Sequence, residues 1–99
     1  MLTHTVIFWL KENLTEEDKG LFFDGVRTLL TIESVETGYL GTPAQTPERP
    51  VVDSSFGCSL TVVLPDLEAH DLYQADPTHL AFVEKCGHLW DRVIIYDAD

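Results

Sequence analysis

The N-terminal segment Thr3–Lys11 is almost entirely apolar, and β-branched and aromatic residues dominate it. This composition predicts a strand that is buried on both faces. Alternation along a strand assigns the side chains to two faces, with His4, Val6, Phe8 and Leu10 on one and Thr5, Ile7 and Trp9 on the other. The first face therefore carries a histidine among apolar neighbours.

A helix is predicted next, because Thr15 is a good N-cap and three acidic residues follow it at the positive end of the helix dipole. Apolar residues recur at helical spacing along this segment, and they are Phe22, Val26, Leu29 and Leu30, with Phe23 on the flank. We expect this stripe to face the interior.

Two further strands are predicted in the middle of the chain, separated by a long polar loop. Val35–Thr42 contains two glycines and is interpreted as an edge strand, and the loop Pro43–Ser55 contains three prolines. The segment Phe56–Leu64 is a stronger strand. It places Leu60, Val62 and Leu64 on one face and Thr61 and Val63 on the other.

The last third of the chain predicts two helices and a strand. Asp66 starts a short helix that runs to about Gln74, and Asp76 with Pro77 ends it and begins another. The second helix is expected to reach Trp90, because one helical face carries His79, Phe82, Val83, Cys86 and Trp90. The closing strand Arg92–Tyr96 places Val93 and Ile95 opposite Ile94 and Tyr96.

The element order β-α-β-β-α-α-β predicts an α+β fold in one domain over residues 1–99. It is a ferredoxin-like plait, a four-stranded antiparallel sheet with helices on one face. A patch as apolar as the uncovered face rarely stays exposed. At about 25 cal/mol per Å², burying several hundred Å² per chain favours pairing by of order 10 kcal/mol before association costs. We therefore expect a homodimer through the side chains of this face, Ile7, Trp9, Val63, Ile94 and Tyr96.

The charge balance narrows the classes of partner. Seventeen acidic residues against six basic ones give a net charge of −11 at neutral pH, which repels nucleic acid and anionic membranes. We expect neither as a partner. Two cysteines, Cys58 and Cys86, are too few for a disulfide framework, and no apolar segment is long enough to span a membrane. A cytoplasmic chain with reduced thiols is expected.

Three polar side chains are expected to converge between the sheet and the helices. His4 lies on the inner face of the first strand, His79 on the inner face of the last helix, and Tyr73 just before the break between helices. An apolar pocket with a few polar groups is the usual form of a small-molecule site. The apolar residues expected to line it are Val6, Phe8, Phe22, Val26, Leu60, Val62, Phe82, Trp90, Val93 and Ile95.

Proton transfer is the chemistry that suits two imidazoles and a phenol. A buried neutral imidazole acts as a base near neutral pH, and a phenol donates a hydrogen bond to a carbonyl or enolate oxygen. With His79 as base, His4 as its polar partner and Tyr73 as donor, the matching reactions are enolisation, cyclisation or isomerisation of a carbonyl compound.

No metal site and no cofactor are expected. His79, Cys86 and His88 come nearest to a ligand set, but their spacing does not bring three ligands together. His70 and His88 are interpreted as surface residues of the last two helices.

Three segments resemble the stress-responsive α/β-barrel (Dabb) domain family, which includes the olivetolic acid cyclase-like dimeric α+β barrel proteins. They are the first strand from His4 to Lys11, the beginning of the first helix from Leu14 to Phe23, and the segment Tyr73-Gln-Ala-Asp-Pro-Thr-His79-Leu-Ala-Phe82. The third segment is the most specific. The resemblance implies the same plait and a dimer whose two sheets form a barrel.

The resemblance also implies site residues. The family's polyketide cyclase uses a first-strand histidine, a last-helix histidine and a tyrosine, which match His4, His79 and Tyr73. A further pocket tyrosine of that enzyme falls on Val26, and a glycine falls on Val83. The pocket of this chain is therefore expected to be narrower and less polar.

Two main hypotheses follow. The first is a stress-responsive homodimer that binds a small apolar carbonyl ligand, with cofactor-independent lyase, cyclase or isomerase activity. The second is a non-catalytic stress or stability protein in which the histidines and the tyrosine form a satisfied core network. A third interpretation is a cofactor-free monooxygenase.

Overall fold

Strands and helices follow one another in the predicted order. The computed structural model describes all 99 residues, Met1–Asp99. The elements are β1 (Leu2–Leu10), α1 (Glu16–Leu29), β2 (Thr37–Gly41), β3 (Cys58–Leu64), α2 (Leu67–Ala75), α3 (Pro77–Cys86), a 3₁₀ turn (Gly87–Leu89) and β4 (Trp90–Ala98). The four strands form one antiparallel sheet in the order β2-β3-β1-β4. The predicted ferredoxin-like α+β fold is confirmed.

The register of the sheet confirms the two predicted faces. Val6 on β1 lies between Leu60 of β3 and Ile95 of β4, and these side chains share the helix-covered face. Thr5, Ile7 and Trp9 belong to the opposite face. The buried fractions agree, because the inward positions of β1 and β3 are buried, apart from half-buried Leu10 at the end of β1, while the outward ones are half-buried or exposed.

The core lies between the sheet and the helices. Phe22, Val26 and Leu29 of α1 are buried in it, as the apolar stripe predicts. Thr15 and Asp18 form a capping box that fixes the start of α1. The N-caps of α2 and α3 are the predicted aspartates, whose carboxylates accept hydrogen bonds from backbone N–H groups two or three residues later.

Helices α1 and α3 pack closely because α1 carries a glycine at their contact. A Cβ atom on Gly25 would lie 2.9 Å from Cys86 Sγ and 3.0 Å from Phe82 Cδ1. A side chain at position 25 would therefore force Cys86 and Phe82 to move.

The predicted end of the last helix is wrong. α3 ends at Cys86, and Trp90 is the first residue of β4 rather than the last of the helix. Sheet pairing explains the difference, since Trp90 pairs with Leu10 and the Lys11 N–H donates to the Leu89 carbonyl at 2.9 Å. Trp90 nevertheless stacks on Phe82, with ring centroids 5.5 Å apart.

The sheet face opposite the helices is uncovered in a single chain. Tyr96 on this face is 63% exposed, and Ile7, Val63 and Ile94 are half-buried. The indole of Trp9 lies under the Arg92 guanidinium and donates to Ser55 Oγ at 3.0 Å, so the polar loop before β3 ends at this face. No helix has the length and apolar character needed to cross a membrane.

Candidate ligand-binding cavity

An apolar cavity of about 130 Å³ lies between the sheet and the helices. All three predicted polar residues, His4, Tyr73 and His79, line it. The remaining lining residues are Val6, Phe8, Leu29, Leu60, Gln74, Phe82, Val83, Trp90, Val93 and Ile95. Because β4 is an edge strand, Val93 and Ile95 are 41% and 47% exposed, and the cavity is open on that side.

Three residues predicted to line the pocket are not among those at the cavity wall. Phe22, Val26 and Val62 are completely buried and belong to the core. In their place the wall includes Leu29, Gln74 and Val83. Leu29 belongs to the predicted stripe of α1, and Val83 to the predicted inward face of α3. Gln74 directly follows Tyr73, but no pattern in the sequence marks it as a pocket residue.

Aromatic rings form one wall of the cavity. Phe82 and Trp90 are stacked at 5.5 Å, and Phe8 meets Trp90 edge to face at 5.0 Å. Such pairs contribute about 0.5–1.5 kcal/mol each beyond their buried area. These contacts hold the three rings together as one apolar wall.

The break between α2 and α3 positions the polar groups. Tyr73 lies in the last turn of α2 and His79 in the first turn of α3, and the Asp76-Pro77 junction folds these two turns together. Their ring centroids are 5.0 Å apart. Tyr73 also lies 5.5 Å from the ring of His4 on β1, so the phenol stands between the two imidazoles.

Two polar atoms at this wall are buried without a hydrogen-bond partner in the protein. They are Tyr73 Oη and His79 Nδ1. A buried polar group left unpaired costs about 1–3 kcal/mol, so such groups are uncommon. Both atoms belong to residues that line the cavity.

Burial sets the protonation state of both groups. It raises the pKa of Tyr73 far above its ordinary value, so the phenol stays a neutral O–H donor. Burial is also the largest influence on His79, whose pKa it lowers; His4 acts in the same direction, and Asp76 opposes it. At neutral pH His79 is therefore an uncharged base.

His4 has a partner that sequence reasoning missed. Its Nδ1 lies 2.5 Å from Oδ1 of Asp97, and the imidazole itself is almost completely buried. The predicted last strand ended at Tyr96, but β4 continues to Ala98 and places Asp97 opposite His4 in the register. When Nδ1–H donates to this carboxylate, the lone pair of His4 is on Nε2.

The surface position predicted for His70 is also wrong. Its side chain is only 20% exposed, and its ring lies 5.2 Å from that of His4. His70 Nε2 is 3.9 Å from the second oxygen of Asp97. His88, in contrast, is exposed as predicted.

The two cysteines are buried and do not line the cavity. Burial raises the pKa of Cys58 to about 12, and it also raises the pKa of Cys86. Both remain thiols at neutral pH and are poor nucleophiles.

The sequence model of the Stress responsive A/B Barrel Domain (Dabb) matches residues 2–99. The chain belongs to the Dabb family. No curated protein matches this Dabb chain in sequence.

Solved structures of the same fold are similar to it over nearly their whole length. At3g17210 from Arabidopsis thaliana has a TM-score of 0.79 at 17% identity, covering 100% of this chain and 94% of that one. The hydroxynitrile lyase from Passiflora edulis has a TM-score of 0.79 at 12% identity, covering 98% and 90%. A dimeric ferredoxin-like protein from Thermobifida fusca has a TM-score of 0.77 at 12% identity, covering 98% and 88%. At these identities the likeness is one of fold.

Proposed function

We propose that this Dabb protein binds a small carbonyl compound in the cavity and catalyses proton transfer at the carbon next to the carbonyl group. The observation that carries the proposal is the pair of buried, unpartnered atoms, Tyr73 Oη and His79 Nδ1, at the wall of one cavity. A carbonyl oxygen accepts a hydrogen bond from the first, and an adjacent C–H group faces the second.

The proposed reaction moves only a proton and an electron pair, so it needs no cofactor. His79 takes the proton through Nδ1, and the electron pair of the C–H bond moves into the carbonyl group to form an enolate. The Tyr73 O–H donates to the developing oxyanion and stabilises it in an apolar site. The imidazolium then returns the proton to the same carbon atom, which is exchange. In a β,γ-unsaturated carbonyl compound the enolate is conjugated with the double bond, and return of the proton to the γ-carbon moves that bond and completes an isomerisation. Alternatively, the enolate carbon attacks a second carbonyl group of the same molecule, the π electrons of that group move to its oxygen, and the imidazolium protonates the resulting alkoxide, which completes a cyclisation.

His4 supports this arrangement as a polar partner. Asp97 holds its Nδ1–H, which leaves Nε2 as an acceptor beside the Tyr73 ring. The carboxylate also fixes the orientation of the imidazole. We assign His4 the role of holding Tyr73 and His79 in their relative positions.

The volume of the cavity limits the substrate class. Its 130 Å³ is close to the roughly 150 Å³ of an engineered apolar cavity that binds benzene, and far below the roughly 300–1,000 Å³ of drug-sized pockets. Small cyclic or branched ketones and aldehydes of about the size of benzene, with roughly six or seven non-hydrogen atoms, fit this class. The Passiflora edulis hydroxynitrile lyase has the same fold. It supports the proposal only by showing that a chain with this fold serves as an enzyme.

The functional unit in this proposal is a homodimer. Its interface is the uncovered sheet face, with Ile7, Trp9, Val63, Ile94 and Tyr96. The dimeric state of the similar Thermobifida fusca protein supports it, as does the exposure of aromatic side chains on this face. Pairing there leaves both cavities intact, because each lies on the other side of its sheet.

The test is exchange of the α-protons of cyclohexanone for deuterium in D₂O, followed by NMR. We expect the protein to accelerate exchange, and His79→Gln to lower the protein-catalysed rate by about 10²–10⁴-fold, the usual contribution of a general base. His88→Gln changes an exposed histidine and is the matched control. Equal rates for wild type and His79→Gln would contradict the proposal.

A second candidate is a carrier that binds the same ligands without catalysis. The observation favouring it is that His4 is already satisfied by Asp97 within the protein. A carrier is stabilised against thermal unfolding by cyclohexanone but does not accelerate exchange, so the two measurements together separate the candidates.

A further inference from the structure

A cluster of metal-ligating side chains lies at the end of the sheet, behind Tyr73. It consists of His4 from β1, His70 from α2 and Asp97 from β4. One ligand atom of each residue lies within 4.8 Å of the others. We propose that these three residues bind a divalent transition-metal cation, with Zn²⁺ as the representative ion. This proposal goes beyond the function proposed above and does not depend on it.

The donor set selects the class of cation. Two imidazole nitrogens and one carboxylate oxygen suit Zn²⁺, Co²⁺ and similar ions, whereas Mg²⁺ and Ca²⁺ prefer sites made only of oxygen. Three protein ligands leave a fourth position for water or another small molecule, as in zinc sites that are not purely structural. The net charge of −11 also favours the approach of cations.

The distances require only small adjustments. Ligands at about 2.0–2.1 Å from a tetrahedral Zn²⁺ lie roughly 3.3 Å from one another. His4 Nδ1 and Asp97 Oδ1 are now 2.5 Å apart, and His70 Nε2 and Asp97 Oδ2 are 3.9 Å apart. These two pairs, which use different oxygens of Asp97, each need to change by less than about 1 Å. The ligand atoms of all three residues lie within 4.8 Å of one another.

The residues that must move are the ones with freedom to do so. Asp97 lies near the end of an edge strand, and its side chain is 43% exposed. The side chain of His70 is 20% exposed. His4 is buried and held by packing, so it provides a fixed ligand around which the two others close.

Metal binding would change what His4 presents to the cavity. With the ion on Nδ1, the proton of the imidazole is on Nε2, the nitrogen left for the side of Tyr73. His4 is then a donor there instead of an acceptor. The proposed ion thus adjusts the hydrogen bonding of the cavity from behind, without contacting a ligand in it.

The test is titration of protein without a histidine tag, using CoCl₂ with visible absorption and ZnCl₂ with calorimetry. We expect one ion per chain and absorption bands typical of nitrogen and oxygen ligands. His70→Ala should weaken binding by more than the roughly 10–100-fold that loss of an outer-shell partner causes. His88→Ala, which removes an exposed histidine, should leave affinity unchanged.

Two further variants make the outcome decisive. His70→Gln retains a polar side chain, and if His70→Ala fails to fold it serves in its place with the same expected loss. His79→Gln removes the proposed base and should bind the ion as wild type does, which separates this test from that of the proposed function. Absence of stoichiometric binding to the wild type, or equal affinities for the His70 and His88 variants, would overturn the proposal.

Discussion

At the scale of single residues, the unpartnered hydroxyl group of Tyr73 is the clearest sign of function. The phenol ring fills core space, but Oη lacks a protein partner. A side chain selected only for packing would be phenylalanine. The unpaired hydroxyl group therefore lowers the stability of the free protein.

Replacing this tyrosine provides the first prediction. Tyr73→Phe removes a buried unsatisfied group, so we expect the free energy of unfolding to rise by about 1 kcal/mol, measured by urea denaturation. Binding of cyclohexanone should weaken in the same variant. A clear loss of stability would show that Oη has a partner in the folded protein, and the account of this atom would be wrong.

The lowered pKa of His79 provides the second prediction. The unfolded state keeps the ordinary value near 6.5, so between that pH and the lower folded value the unfolded chain binds more protons. Stability should therefore decrease as pH falls through this interval and remain constant below it. The rate of proton exchange should fall as the pH drops through the pKa of His79 in the folded protein, which lies below 6.5.

The control for this pH dependence is His79→Gln, which cannot titrate. We expect its urea midpoint to vary less between pH 7 and 5 than that of the wild type. The same dependence in both proteins would assign the effect to other groups.

At the scale of elements, the sequence predicted the path of the chain better than the ends of its elements. Helix starts were predictable because Thr15, Asp66 and Asp76 are local signals. The end of α3 was not, because Trp90 satisfies both the helical repeat and the strand that pairs with Leu10. Only pairing with β1, a contact distant in sequence, decides between them.

The same limit explains the missed residues of the site. His4, Tyr73 and His79 could be placed on inward faces from their spacing alone. Asp97 and His70 join them only through the length of β4 and the position of α2 over the sheet end. Neither the length of β4 nor the position of α2 follows from a local sequence pattern.

The contact between α1 and α3 provides the third prediction. Gly25→Ala introduces a Cβ atom 2.9 Å from Cys86 Sγ, and we expect a loss of about 1–3 kcal/mol from overpacking. Gly20→Ala is the matched control in the same helix. No atom lies within 4 Å of its added Cβ, so helix propensity should stabilise it by up to about 1 kcal/mol. Equal effects in urea denaturation would contradict this account of helix packing.

At the scale of the whole molecule, the sheet leaves one face without a cover. The chain measures 36 × 32 × 18 Å along its principal axes, which matches a two-layer molecule with a sheet on one side and helices on the other. The open face contains both half-buried aliphatic residues and exposed aromatic rings. In the proposed homodimer, the second chain covers this face.

The fourth prediction concerns a charge introduced on this face by substitution. Ile94→Asp places a carboxylate in the middle of the proposed interface, and we expect the particle mass to fall to that of one chain, 11.2 kDa, in light scattering after gel filtration. Leu72→Asp adds the same charge at a 62% exposed position on α2 and should remain dimeric. A monomeric wild type at micromolar concentration would contradict the dimer.

The most direct test of the central claim is a crystal structure of the protein grown with cyclohexanone. We expect the ligand inside the cavity, with its oxygen atom about 2.5–3.0 Å from Tyr73 Oη and an adjacent carbon facing His79 Nδ1. A ligand bound elsewhere, or a cavity closed by its own side chains with Tyr73 and His79 paired to each other, would contradict it.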